Sequence, residues 1–373
     1  MNAHLHTVLA GMLVLAACAG DEGKFADDTP SSEEKVVNVY NWTDYIGKET
    51  IADFEAKTGI KVVYDTYDAN LVLETKLLTG ASGYDVVFPT ANFLEGQIKA
   101  GVYQKLDKAL LPNLVNMDPE IMKRLSINDP GNLYAVDYTW GTEGMSWNPA
   151  LVHKAIGTAE LDSWGAIFDP AIASRLEDCG IAIIDSPEHA FNMALNYLGR
   201  DPNSEKAEDL EAAEALWIRV RPFVRYFHSS QHINDLASGE ICVASNYSNG
   251  AVQARERGAA ALSPVEVAYI IPVEGTIIWF DTMAIPVDAP HPLNAHAFIN
   301  FLMEPEVIAA VTSEMGVASG NRASLQFVPE SVKDNATIYP TADVLAKAHP
   351  TLAHTPDYRR YISRAWTRIK TGQ

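Results

Sequence analysis

The sequence predicts an α/β protein of two lobes, built on mixed and mostly parallel sheets, with a hinge and a central cleft. Three observations predict it. At 373 residues the chain exceeds the ~250–300 residues at which a single hydrophobic core stops growing. From Val36 the apolar pattern alternates strand and helix, and a β-α-β order implies parallel strands covered on both faces. A second such run begins near Asp178, and later segments return to complete both. That arrangement implies lobes joined by more than one crossing and able to close on a ligand.

The elements follow in order. VVNVYN (36–41) is a strand, Ile51 and Phe54 with the Gly59 stop mark an amphipathic helix, and IKVVYDTYD (60–68) is an alternating strand. Leu71, Leu77 and Leu78 lie on the next helix, YDVVF (84–88) is a buried strand, and Phe93, Ile98 and Ala100 lie on a further helix. YAVDYTWGTEGMSWNP (134–149), rich in glycine and aromatics, suits a crossover. The second run has strand GIAIID (180–185), helix EHAFNMALNYLG (188–199), a long amphipathic helix through Leu210, Leu216 and Val220, strand EICVAS (240–245) and helix SNGAVQARERG (248–258). VEVAYIIPVEGTIIWFDTMAIP (265–286) reads as a hairpin, helices are expected near Phe298–Met303 and Val307–Met315, and YRRYISRAWTRIK (358–370) is a last amphipathic helix. These assign 36–143 with 276–320 to lobe 1 and 144–275 with 321–373 to lobe 2.

Hydrophobic residues at 47% and charged residues at 20% describe an ordinary globular chain. The net charge is −20, of which residues 18–35 carry −4, leaving −16 on the folded part. Such a surface repels nucleic acid and anionic lipid and is compatible with a cationic ligand. Val8 to Ala17 is a short apolar run ending in small residues, the composition of a secretory signal sequence (1–17). Leu15-Ala16-Ala17-Cys18 resembles a bacterial lipobox, which would make Cys18 the lipidated first residue of a flexible acidic tether (18–35). Simple cleavage after Ala17-Cys18-Ala19 is the alternative. In an exported protein the other two cysteines, Cys179 and Cys242, are candidates for one disulfide, with two buried thiols the other possibility.

No HExxH, CxxC, phosphate loop, GxGxxG or GxSxG motif occurs, so no enzyme chemistry is expected. Polar and aromatic residues instead cluster at the carboxyl ends of strands, where open α/β sheets bind ligands. A buried organic ammonium needs carboxylates for its charge and aromatic faces for its alkyl chain. Asp44, Glu188 and Asp281 can supply the first, Trp42, Tyr45, Tyr247 and Trp279 the second, and Thr43 and Thr90 add orienting hydroxyls. Singly, each has a structural explanation as a helix cap or core aromatic. Together they point to an amine site.

Several long stretches carry a family resemblance: VYNWTDYI, TGIKVVYD, YDVVFPTANFLE, DSPEHAFNMALNYLGRDPNS, VRYFHSSQHINDLASGEICVA, IYPTADV and RAWTRIK. The chain from Val36 resembles the periplasmic polyamine-binding proteins of bacterial ABC transporters, most closely the putrescine-binding branch. The resemblance implies a type II periplasmic binding protein that works as a monomer without cofactor or metal. It would deliver a small amine to permease transmembrane subunits with their ATPase, touching the membrane only through its lipid anchor. A sensor of the same fold reporting to a signalling receptor, and less so an anchored hydrolase, are the alternatives.

Residue by residue, the family's amine-binding aromatics match Trp42, Tyr45 and Trp279, and its hydroxyl contacts match Thr43 and Thr90. Its carboxylates match Asp44, Glu188 and Asp281, the last being the main ammonium partner, and its disulfide matches Cys179 and Cys242. Three positions depart. Tyr247 stands where the putrescine branch has Trp, Gly250 where it has an ammonium-binding Asp, and Val317 where the family has an aromatic. An unpaired buried ammonium is costly. Gly250 is therefore expected to enlarge the pocket and shift preference from putrescine to a longer polyamine, agmatine or an amine with a different second end. Restoring Asp there is expected to strengthen diamine binding.

Overall fold

The computed structural model describes residues 33–372. The signal sequence, Cys18 and nearly all of the tether lie outside them. From Lys35 onward the chain folds as one compact unit. Among the described residues no helix is long and apolar enough to cross a membrane.

The first half is a parallel sheet. Strand β1 (Val36–Trp42) lies between β2 (Lys61–Tyr67) and β3 (Val86–Val87), parallel to both. Because helices cover both faces, alternate residues of β1 are buried in two directions, as parallel strands require. Val37 and Val39 pack with Phe54, Phe298 and Ile299, while Tyr40 packs with Tyr67, Leu73 and Leu94.

The second half repeats the plan. Strand β5 (Ile181–Ile183) lies parallel between β6 (Val224–Phe227) and β7 (Val243–Tyr247). One face is filled by Phe191, Trp217 and Trp366, from the helices Pro187–Tyr197, Ala207–Val220 and Pro356–Thr371. The other is closed by Leu236, Ile241 and Ala254. Cys179 and Cys242 precede neighbouring strands β5 and β7, which brings their Cα atoms to 5.4 Å in a disulfide.

Two antiparallel strands join the halves. Strand β4 (Ala135–Trp147) is buried along all thirteen residues. Its first part, to Thr142, pairs with β9 (Thr276–Ala284), and from Glu143 on it pairs with β7. Strand β9 also borders β3, so the order runs β2-β1-β3-β9-β4-β7-β5-β6. Strand β10 (Ala348–Pro350) joins β9, and β8 (Ala268–Ile270) joins β4. Asn321 and Ser324 remain bonded toward the first half, through the Asn321 amide to the Met303 carbonyl and an Asn321 bridge to Met117.

One sequence expectation takes a sharper form here and one is corrected. Segment 134–149 does cross between the halves, and it does so as the single strand β4, which pairs first with β9 and then with β7. Segment 265–286 is not a hairpin. Both β8 and β9 run antiparallel to β4, so they run in the same direction as each other and cannot pair as a hairpin does. The turn between them, with Gly275 at φ +108°, is an excursion along the β4 edge, and a Cβ at Gly275 would lie 2.7 Å from the Lys347 carbonyl oxygen.

Candidate functional site

Cross-strand partners in a sheet present their side chains on one face, and the β4 registers define a row. Thr139 is opposite Asp281, Gly141 is opposite Trp279, and Glu143 is opposite Tyr247. The row starts in the first half of the sheet and ends in the second, because β4 changes partner between Thr142 and Glu143.

At one end stands Asp281. Its carboxylate accepts a 2.7 Å hydrogen bond from the Thr90 hydroxyl. Thr90 begins the helix Ala91–Lys99 but does not cap it; its hydroxyl is committed to Asp281, and its backbone N–H donates to the Asn70 amide oxygen at 3.1 Å. Tyr45 reaches over the same end, its hydroxyl 2.8 Å from that of Thr139. Burial pushes the Asp281 carboxyl up to about 6, although hydrogen bonds from Thr90 and Tyr45 pull the other way.

The middle is Trp279. A Cβ at Gly141 would lie 2.3 Å from the indole ring, so only glycine lets the ring lie across β4. The indole N–H is buried with no hydrogen-bond partner among the described residues.

The far end belongs to the second half. Ser186 caps the helix Pro187–Tyr197, whose first turn carries Glu188 and His189. The Glu188 carboxylate accepts a 3.3 Å bond from the Asn92 amide, so a residue of the first half touches one of the second. Burial raises Glu188 to about 7 against a lowering influence of Arg359. His189 Nδ1 lies 3.2 Å from the Tyr247 hydroxyl and 3.4 Å from Glu143 Oε2. Burial lowers the imidazole to about 4, so the ring is neutral near pH 7. Thr90, Asn92, His189 and Trp279 together line a water-sized void of about 30 Å³.

Of the residues singled out from sequence, Tyr45, Thr90, Glu188, Tyr247, Trp279 and Asp281 thus fall on this row or against it. Trp42 is half-buried beside it, its indole N–H donating to the Phe88 carbonyl at 2.9 Å and its ring 4.7 Å from Tyr67. Thr43 and Asp44 lie exposed on the loop after β1. Thr43 bonds the Tyr67 carbonyl at 3.2 Å, and Asp44 holds a left-handed backbone at φ +53°.

The expected enlargement at Gly250 is not found. A Cβ there would lie 2.3 Å from the Asn246 amide oxygen. That oxygen is 2.9 Å from His232 Nε2, and the Asn246 amide donates to Ser146 at 3.2 Å. The side chain is pinned and already fills the space. Gly250→Asp is therefore expected to destabilise the protein, by about 1–3 kcal/mol from overpacking, without strengthening diamine binding. Thermal unfolding and diamine titration of the variant check both halves.

Sequence reasoning missed Thr139, Gly141, Glu143 and His189. The available signal was the period of two in Thr139, Gly141 and Glu143, which marks one face of a strand.

The comparisons with known proteins agree with this architecture. A model of the bacterial extracellular solute-binding protein family matches residues 49–341. The chain is similar to the putrescine-binding periplasmic protein SpuD of Pseudomonas aeruginosa, 46% identical over 352 residues, covering 94% of this chain and 96% of SpuD. It is also similar to the putrescine-binding periplasmic protein PotF of Escherichia coli, 43% identical over 367 residues, covering 98% of each. Its fold matches the crystal structure of the spermidine/putrescine ABC transporter substrate-binding protein PotD from Streptococcus pneumoniae, with a TM-score of 0.81 at 24% identity over 91% of this chain and 99% of that one. That likeness identifies the two halves as the lobes of a periplasmic binding protein fold. With a family model spanning most of its folded part and relatives this similar over nearly its whole length, the chain belongs to the bacterial extracellular solute-binding protein family.

Proposed function

We propose that the protein captures a polyamine in the row between its lobes and delivers it to the transmembrane subunits of an ABC permease, by binding and closure without bond chemistry. The observation that carries this reading is the pair of carboxylates flanking Trp279, Asp281 buried and Glu188 half-buried. Both are held above their ordinary range by burial, and none of the ion pairs among the described residues joins a lysine or arginine to either. Desolvated carboxylates beside an aromatic face suit an alkylammonium ion. The names of SpuD and PotF support the same ligand class. Trp42, Tyr45, Thr90, Tyr247 and Trp279 would enclose the alkyl chain, with Thr43 and Asp44 brought in from the rim.

We place lobe 1 at 36–143 with the segment from 276, and lobe 2 at 144–275 with the C-terminal helix, the return crossing following Ser324. The periplasm is the site of action, Cys18 the lipid anchor and the monomer the working unit. Putrescine is not the tightest ligand in this reading, because Gly250 offers no carboxylate.

Titration calorimetry against putrescine, agmatine, spermidine and a monoamine tests the proposal. Binding a cation requires the carboxylates ionised, and Asp281 and Glu188 titrate near 6 and 7 in the free protein. Amine affinity should therefore rise between about pH 5 and pH 8, by at most about tenfold per unit for each group that loses a proton. Absence of binding by any amine, or affinity falling over that range, refutes the reading.

A further inference from the structure

The feature the proposed function leaves unused is Glu143. It is fully buried, and neither carboxylate oxygen has a hydrogen-bond partner among the described residues. Buried polar groups are almost always satisfied, and a buried carboxylate without a partner is among the most costly exceptions. His189 Nδ1 lies 3.4 Å from Glu143 Oε2, on a ring that also faces the Tyr247 hydroxyl, and the buried Tyr269 hydroxyl feels the Glu143 charge as well. No lysine or arginine pairs with Glu143 in any ion pair of the described residues.

We propose that Glu143 receives the second ammonium ion of a polyamine whose first is held by Asp281. The ligand would be longer than a four-carbon diamine. This rests on the amine-binding reading above and adds to it a residue and a length. The placement argues for it in three ways. Glu143 and Asp281 both face the same row, through Tyr247 and Thr139 respectively, with Trp279 between them. Thr139 and Glu143 are four residues apart on one strand, about 13 Å of backbone, so the ends of the row are well separated. Burial raises the Tyr247 hydroxyl above its ordinary range, and the charges of Glu143, Glu188 and Asp281 act on it in the same direction. Gly250 supplies no side chain at this end, and Asn246 fills its space. Glu143 reaches the same end from the opposite strand, beside Tyr247.

Burial raises the Glu143 carboxyl to about 8. Without a cation it is a neutral acid beside a neutral imidazole, and an arriving ammonium ion displaces its proton. That gives a second, independent readout.

The test is Glu143→Gln, which keeps shape and hydrogen-bonding capacity but removes the charge. Calorimetry in buffers of different ionisation enthalpy measures affinity and proton release for spermidine, putrescine and a monoamine. The variant should bind spermidine roughly 30-fold or more weakly, the loss seen when one partner of a desolvated charge pair is removed. It should bind the monoamine as the unmodified protein does, and release fewer protons on binding spermidine. Unchanged spermidine affinity overturns the proposal. So does loss of monoamine and spermidine binding together, since Glu143 would then hold the cleft in shape. Tighter binding of putrescine than of spermidine by the unmodified protein overturns the length assignment. If no amine binds the unmodified protein at all, it is the proposed function that fails.

Discussion

Asp281→Asn is expected to weaken amine binding by roughly 2–5 kcal/mol, the range for losing one partner of a buried, hydrogen-bonded charge pair. Asparagine keeps the shape, and its amide oxygen can still accept the 2.7 Å bond from Thr90. The change therefore isolates charge. The same substitution should not weaken the ligand-free fold. The Asp281 carboxyl titrates at about 6 in the folded protein, against an ordinary value of 3.8. The folded state thus holds its proton more tightly than the unfolded chain does. Stability from this group is complete below pH 4 and is lost as pH rises through 6, by on the order of 3 kcal/mol. Asparagine has no proton to lose, so the difference in melting temperature between variant and unmodified protein should shift in favour of the variant from pH 4 to pH 7. A variant that melts earlier at every pH would show that Asp281 holds the fold together instead.

Removing the Cys179–Cys242 disulfide should produce the largest change in stability. The bond closes a loop with a sequence separation of 63. Chain-entropy arguments give about 4 kcal/mol for a loop of that length, a drop of about 6 °C in melting temperature for a chain of this size. The β5–β7 ladder, with Ile181 opposite Val243 and Ala182 opposite Ala244, does not depend on the bond for its hydrogen bonds. Amine affinity should accordingly survive in a Cys179→Ala, Cys242→Ala double variant while calorimetric unfolding moves down. A variant with unchanged melting temperature would mean the folded state compensates for the lost constraint. A variant that melts as before yet binds amine poorly would mean the bond positions Tyr247 directly.

Legibility in the sequence followed the range of the signals. The alternation of apolar runs and helix stops from Val36 to Ala100 matches the observed first sheet, because those signals are local. Thr90 and Glu188 just past their strands and Tyr247 at the end of β7 were also legible as strand-end residues, whereas Trp279 and Asp281, expected where a strand stops, lie inside β9. Strand β4 was not. Its two glycines and its aromatics resemble a connection, and the reason for a thirteen-residue strand is non-local: β9, β7 and β8 each take part of it. Missing β4 meant missing Glu143. The error at Gly250 has the same origin. A glycine in place of a carboxylate reads as empty space, but Asn246 four residues earlier on the same stretch fills it.

By itself the sequence determined the class of this protein: an acidic α/β chain of two lobes, with carboxylates and aromatics at strand ends and two cysteines beside strands. These are properties of short segments, set by periodicity, composition and turn chemistry. Only the tertiary structure decided which carboxylates are desolvated, and therefore where a cation is wanted. Asp44 is exposed, while Glu143 is buried with no hydrogen-bond partner for either oxygen among the described residues. That difference comes from what packs around each carboxylate, and no property of a residue's own neighbours in sequence encodes it.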